Sequence, residues 1–423
     1  MKILDITGNP FSTVLNNGKT HEALFSAFKR SELCQLYTRP VDNNLVDFKY
    51  CNSFYCVSDL DVLNRLRLKI KKCGGEVVHS VEPTNNADVY DTYQNGGLSK
   101  HQDILRLLRD IMWHTNVWKN SSLKTWIEKE KPDVIFVDGG GECFLFDIAL
   151  YIAGKWNIPI ISYYTDDYLI TPVVKGVISF IRHILLKKTL QNVINQSSLC
   201  YTIGEDMANE YGRYFNREFL YIMNSIPLRD YVEPQHSQKP ISISYFGSLG
   251  LNRGKMIGRL SQILGDKAKV IAYTFGHLSE EEESSIKEQG VDIRAGIKGE
   301  EFHKAVYDSD VLLHVESDDK TNRAFTRLAV STKIPEYLMH SRPVLGFGPT
   351  EVASMRLLSN NHVGLVVSSE YSEEEIREAV SSLYDLKKRI EFSQRGYNFA
   401  CEVFDRRRNA LKFKEQIENT INV

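Results

Sequence analysis

Short runs of β-branched and aromatic residues recur along this chain, each separated from the next by a longer stretch with helical spacing, and no other feature restricts the fold as much. In the first half they are KILDIT, EVVHSV, DVIFVD, PIISYY, LCYTIG and FLYIM; in the second, ISISYFGS, KVIAYTF, DVLLHV, PVLGF and VGLVV. Strands that alternate with helices pair in parallel, because the helix carries the chain back across the sheet face. Between the two series lies NSIPLRDYVEPQHSQKP, rich in proline and polar turn formers and without either period. It reads as a linker. The expected class is α/β, with two Rossmann-like doubly wound domains facing a central cleft, residues 1–225 and residues 238–403. A basic helix over 404–423 follows and can pack back on the first domain.

A chain of 423 residues exceeds one ordinary core, which agrees with two domains. A net charge of −2 gives no global attraction for nucleic acid, so an anion site must be local. The opening MKILDITGNP lacks the longer apolar region of a signal peptide and reads as a first strand. No apolar stretch is long enough to span a bilayer. Seven scattered cysteines, never spaced Cys-x-x-Cys, argue against a disulfide framework or structural zinc and suit the cytoplasm.

Ligands of doubly wound sheets sit in the loops that follow the strands. STKIPEYLMHSRPVLGFGP, from Ser331 to Pro349, follows DVLLHV and opens a helix. With Ser331 or Thr332 as N-cap, Pro335 falls near the first turn, where its missing N–H costs little. The free amides and Lys333 then suit a phosphate, and Glu336 suits the hydroxyls attached to it. Equally, Ser331 caps, Lys333 is solvated and Glu336 only meets the helix dipole. YFGSLGLNRGK leaves the first strand of the second series, and Gly247 and Gly250 allow close backbone approach around Ser248.

STKIPEYL…SRPVLGFGP followed by VGLVV resembles the nucleotide-binding segment of bacterial glycosyltransferases of family 4, which have the GT-B architecture. KPDVIFVDGGG, IPIISYYTDDYL, YFGSLGLNRGK and the terminal helix fall in the same order. The resemblance implies that Glu336 binds the nucleotide ribose, that the helix start holds the diphosphate, and that Arg253 and Lys255 are cations on the donor diphosphate. Many members have lysine where this chain has Arg253. Many also have a Glu eight residues before the counterpart of Glu336, where this chain has Leu328. Glu316 is the nearest substitute, and Arg327 can reach phosphate. SDDKTNRAFT between them reads as an inserted, mobile loop. Many relatives place a His after the strand matching PIISYY, where this chain offers Thr165, Asp166 and Asp167. Asp166 and Asp167 either accept from sugar hydroxyls or cap the next turn.

In the first domain TGNPFSTVLNNGKT and DGGGE supply backbone amides at strand ends, with Gly8, Asn9 and Gly140 as candidates for diphosphate or acceptor. Acidic pairs at Asp59 and Asp308 match Asp-x-Asp, but Asp59 reads as a helix cap and Asp308 precedes a strand, so no metal site is assigned. KGVISFIRHILLKKTLQNVI, from Lys175 to Ile194, is either a crossover helix or a surface for anionic lipid.

The expected function is a retaining glycosyltransferase in surface polysaccharide or glycan assembly. Its donor is a nucleotide diphosphate sugar, used as substrate with no further cofactor. Its acceptor is a glycan or lipid-linked hydroxyl, met in the cytoplasm or at the inner face of the plasma membrane. A nucleotide-sugar 2-epimerase and a catalytically silent nucleotide-sugar-binding protein are the alternatives.

Overall fold

The structure is a computed structural model that describes all residues except 13–15, 67–73, 78–101, 172–173, 175, 236–239, 277 and 422–423. The chain forms two compact units, one comprising 1–222 and 406–423 and the other 223–405.

The first unit is built on strands β1 (Ile3–Thr7), β2 (Leu33–Tyr37), β3 (Ser53–Cys56), β4 (Gly75–Val77), β5 (Val134–Asp138), β6 (Ile160–Tyr164), β7 (Ser197–Thr202) and β8 (Leu220–Tyr221). They form one eight-stranded sheet in the order β4-β3-β2-β1-β5-β6-β7-β8. Central strands such as β1 and β5 are buried along their whole length, which is why they read as unbroken apolar runs rather than alternating ones. Pairing is parallel with one exception. EVVHSV was expected to be a parallel strand; instead β4 pairs antiparallel with β3, Phe54 opposite Val77, as an edge strand whose Glu76 is exposed. The remainder of that run lies outside the described residues.

The terminal helix Arg406–Ile421 belongs to this unit. Its Phe413 ring packs against Phe25, Phe28, Phe136 and Tyr201, and Lys414 Nζ pairs with Glu32 at 2.9 Å. The aromatic cluster therefore joins β5, β7 and the last helix into one core.

The second unit has six parallel strands, β9 (Ile241–Phe246), β10 (Ala268–Thr274), β11 (Asp292–Ala295), β12 (Val311–Val315), β13 (Val344–Gly348) and β14 (Leu365–Ser368), in the order β11-β10-β9-β12-β13-β14. Helix Leu386–Val403 covers helix Lys333–Met339, with Gly396 against Leu338. The segment read as a linker is tied to this unit. Ile226 N–H donates to Phe404 O at 2.9 Å, Tyr397 Oη to Arg229 O at 2.8 Å, and Arg342 Nη1 to Val232 O at 2.9 Å. Its lack of period reflects an extended strap whose polar backbone is satisfied by side chains.

Phe413→Ala is expected to destabilise the first unit by about 3–5 kcal/mol, the range for deleting a buried aromatic ring. All four tryptophans, Trp113, Trp118, Trp126 and Trp156, lie in that unit, so urea unfolding followed by tryptophan fluorescence reads it selectively. An unchanged midpoint would mean that the last helix contributes nothing to the core.

Candidate active site

Chain order reverses between β9 and β12 in the second sheet, and ligands of such sheets bind beyond the strand ends at that reversal. Four elements bring side chains there. Tyr245 is the next-to-last residue of β9 and Gly247 and Ser248 follow the strand, His314 lies in β12 and Glu316 just after it, Arg253 opens helix Arg253–Leu264, and Lys333 opens helix Lys333–Met339.

Gly247 adopts φ +141°, and a Cβ there would collide with Lys333 Nζ. The missing side chain is the space through which Lys333 passes. Lys333 Nζ lies 4.3 Å above the Tyr245 ring and 2.9 Å from its Oη. That hydroxyl donates its proton to Ser248 O at 2.6 Å, which leaves its lone pairs for the lysine. Arg253 Nη2 is 3.7 Å from Glu316 Oε2, and His314 Nε2 is 3.2 Å from Glu316 Oε1. Glu316 is only 3% exposed, and its Oε2 makes no hydrogen bond among the described residues.

Burial pushes the Lys333 amine down to about 7, and Arg253 adds to the effect while Glu316 opposes it. Burial works against the Glu316 charge, but His314, Arg253 and Lys333 outweigh it and hold the carboxyl below the usual glutamate range. Two cationic side chains around one carboxylate leave net positive charge once Lys333 is protonated. A doubly charged anion is the complementary ligand.

The helix start itself differs from expectation. Thr332 occupies the N-cap position in a right-handed helical conformation, and its side chain makes no capping hydrogen bond. Ser331 gives its amide to Ser354 Oγ at 3.0 Å. The helix has seven residues, too short to concentrate much dipole charge at its start. The positive field therefore comes from Lys333 Nζ and Arg253, not from free amides. Pro335 sits third in the helix, within the turn that has no intrahelical use for an N–H. Glu336 is half-buried in the next position.

Lys255, Ser248 and Arg327 are the remaining candidates on this unit. Lys255 is exposed, and the cluster forms without it. Ser248 Oγ is engaged by Gly250 N–H at 3.1 Å. Arg327 closes helix Lys320–Thr326, and its carbonyl accepts from Ala353 N–H at 2.8 Å. SDDKTNRAFT, read as an inserted loop, is largely that helix, capped by Asp319 through the Thr321 and Asn322 amides.

The first sheet has its own reversal, between β1 and β5. Gly8 O accepts from Arg39 N–H at 2.9 Å, and Asn9 is half-buried beside it. Gly140 adopts φ +51° and donates its amide to Asp138 Oδ1 at 3.3 Å. Asp166 accepts from Thr165 Oγ1 and Tyr168 Oη, each at 3.3 Å. Burial raises its carboxyl above the usual aspartate range, and the charge of Asp138 raises it further. Asp167 is not available as an acceptor-side contact: its carboxylate takes the amides of Leu169, Ile170 and Thr171 and the Tyr211 hydroxyl. It shapes the turn. The acidic pairs have structural uses as well. Ser58, not Asp59, caps helix Asp59–Arg65, and Asp59 binds Arg109 Nε and Trp113 Nε1. Asp310 holds the Ser242 amide and hydroxyl.

Sequence reasoning missed a buried trio here. His21 Nδ1 is 2.9 Å from Asp5 Oδ2, and its Nε2 is 3.3 Å from Asp138 Oδ2. Gln35 Nε2 donates to Asp5 Oδ2 at 2.7 Å. Burial alone would keep the imidazole neutral, but the Asp5 charge and the hydrogen bonds to Asp138 and Asp5 raise it to about 10. The available signal was an aspartate inside each of the apolar runs ILDIT and VIFVD, since buried acids require partners.

No family model and no curated protein matches the sequence. Solved structures do. HepE of Anabaena, solved with UDP, aligns over 99% of this chain and 100% of its own with a TM-score of 0.64 at 10% identity. Sucrose-phosphate synthase of Thermosynechococcus elongatus aligns over 99% of both chains with a TM-score of 0.62 at 10% identity. TarM aligns over 100% of this chain and 99% of its own with a TM-score of 0.61, again at 10% identity. The fold is GT-B.

The His21 trio sets a pH dependence. Its folded-state pKa, about 10, exceeds the ordinary 6.5, so its stabilisation is complete below pH 6.5 and is lost as pH rises toward 10. The stability difference between the parent and His21→Asn should accordingly shrink from pH 6.5 to 10 in urea titrations. A difference that is flat or grows with pH would show that the ring is not held as imidazolium.

Proposed function

We propose that this protein is a retaining glycosyltransferase resembling family 4, moving a sugar from a nucleotide diphosphate sugar to a hydroxyl acceptor in cell-surface polysaccharide or glycan assembly. The observation that carries the reading is the convergence of Arg253 and Lys333 on buried Glu316 at the β9/β12 reversal. HepE has been solved with UDP and with UDP-glucose, which supports a uridine nucleotide as the donor's leaving half.

In the transfer, the bond from the anomeric carbon to the β-phosphate oxygen breaks and its electron pair leaves with the nucleotide diphosphate. The acceptor oxygen bonds to that carbon and loses its proton. Negative charge grows on the departing phosphate, so groups that gain contact energy as it grows lower the barrier. Arg253 is the fixed charge for this role. Lys333, poised near neutrality, gains affinity for a proton when the diphosphate arrives, and Gly247 leaves it room to move. Glu336 takes the ribose hydroxyls, and Glu316 orients Arg253 or meets the sugar. The chemistry needs no bound metal, because these cations supply the charge. Asp166, its carboxyl held above the usual aspartate range by burial and by Asp138, and the loops at Gly8, Asn9 and Gly140 serve the acceptor.

A membrane-borne acceptor has its own support. Helices Gln102–His114 and Val177–Gln196 pack together through Arg182 Nε and Asp110 Oδ2 at 2.8 Å. Beside that link they expose Leu105, Leu108, Ile111, Val177, Phe180 and Ile184, along with cationic Arg106, Lys187 and Lys188. Apolar side chains ringed by cations suit an anionic leaflet. Lys175, also singled out in the sequence, lies outside the described residues. Among the described residues no helix is long and apolar enough to cross a membrane, so this contact would be peripheral.

Arg253→Ala should lower kcat by roughly a hundredfold to a thousandfold with a smaller effect on donor binding, as for removal of one oxyanion donor. Arg253→Lys should recover part of the loss, since charge returns without the planar fork. A folded alanine variant with near-parental turnover would refute the leaving-group assignment. Separately, the double variant Lys187→Glu, Lys188→Glu should reduce flotation with phosphatidylglycerol vesicles while leaving UDP affinity unchanged. Negligible flotation of the parent would end the membrane proposal.

A further inference from the structure

Behind helix Lys333–Met339 a chain of polar groups runs through two imidazoles. Arg229 Nη2 is 2.9 Å from His303 Nε2, His303 Nδ1 is 2.9 Å from His340 Nε2, and His340 Nδ1 is 2.6 Å from Glu336 O. The ends of this chain fix the protons in between. A guanidinium only donates, so His303 Nε2 must be the bare nitrogen; a peptide carbonyl only accepts, so His340 Nδ1 must carry the proton. A neutral His340 then has a bare Nε2, and the proton on His303 must be at Nδ1. Every contact is satisfied in one state only, with both rings neutral and both carrying the proton on Nδ1.

The surroundings enforce neutrality. His340 is 1% exposed, enclosed by the rings of Phe302, His303 and Tyr307. Burial, with Arg229, His303 and Arg342 nearby, drives it down to about 4, against the hydrogen bond to Glu336 that favours the charged ring. His303 is lowered by burial and by Arg229, with Glu300 opposing. Arg229 is itself held in place, its carbonyl by Tyr397 Oη at 2.8 Å and its amide against Met339 Sδ at 3.4 Å.

We propose that Arg229, His303 and His340 form a one-way hydrogen-bond relay that positions Glu336 for the donor ribose, with Arg229 and the Glu336 carbonyl holding its polarity from opposite ends. This rests on the donor-site reading of Glu336. The three are positioning residues, acting through a backbone carbonyl and not on the substrate. Without the Arg229 donor the Glu336 carbonyl still holds the proton on His340 Nδ1, but His303 Nε2 loses its partner and the Nε2–H tautomer of His303 becomes accessible. In that tautomer His303 Nδ1 faces the bare His340 Nε2, acceptor against acceptor, and the link that braces His340 is lost.

The test combines nitrogen-15 spectra of histidine-labelled protein with UDP titration calorimetry at one neutral pH, for the parent, Arg229→Met and Arg229→Lys. The parent should show both rings as Nδ1–H tautomers. Arg229→Met should move part of the His303 population to the Nε2–H tautomer while His340 stays Nδ1–H, and weaken UDP binding about threefold to tenfold, the scale of one or two lost hydrogen bonds. Arg229→Lys, which restores a donor, should return both readouts toward the parent. A parent with either ring protonated on Nε2, or an Arg229→Met protein in which His303 is unmoved, overturns the relay. Shifted tautomers with unchanged UDP affinity overturn the positioning role. A parent that shows both Nδ1–H signals but binds no UDP sinks the donor reading, leaving the relay as a fold element alone.

Discussion

Glu316 is the point around which the second unit's site is organised. A carboxylate this deeply buried is tolerable only if opposite charge and hydrogen bonding compensate its lost hydration, and Arg253, Lys333 and His314 supply that compensation. The compensation overshoots. Two flexible cations gathered around one acid create a field that a further anion can satisfy, so the demand of an interior residue becomes a property of the surface above it. Gly247 belongs to the same solution, because any side chain there would expel the lysine.

The first unit meets the same topological reversal with the opposite charge arrangement. There a cation, His21, is buried between two carboxylates, and the Gly140 amide leans on one of them. Burial, and then the negative charge of Asp138, raise Asp166, so an acid near the strand ends retains its proton more readily than it would in water. One sheet thus gathers cations above a buried acid, while the other gathers acids around a buried cation. A doubly wound sheet fixes the place of a site but not its sign.

Much of the architecture was legible because parallel strands buried on both faces appear as unbroken apolar runs, as in VIFVD and VLLHV. LCQLY, SFYC and DIRA escaped notice. Gln35 interrupts the first, the second has four residues, and the third is half-exposed at an edge. In the second unit, Gly247 and Lys333 could be named from position after strands, and Arg253 and Glu316 through the family resemblance, whereas Tyr245 and His314 could not, because an aromatic residue or histidine inside a strand reads as core. Ser331 and Thr332 divide the expected role: a hydroxyl before a helix usually caps it, but Thr332 at the N-cap position makes no capping bond, and it is Ser331 Oγ that accepts from the Lys333 amide at 3.4 Å. The His303–His340 pair was invisible, since thirty-six residues separate two imidazoles that only the packed fold brings together.

The route of the chain has a temporal consequence. The second unit is one uninterrupted stretch, 223–405, while the first is completed by 406–423. A ribosome therefore releases all of the second unit before the helix bearing Phe413 exists. The unit whose strands are made first cannot close its aromatic core until residues 406–423 emerge, and its exposed hydrophobic surface must be shielded in the interval. Conversely, the second unit is encoded as a self-contained cassette, bounded by two chain crossings at 222/223 and 405/406. Such an arrangement lets one half be exchanged as a block, whereas the other half can be inherited only as two separate segments.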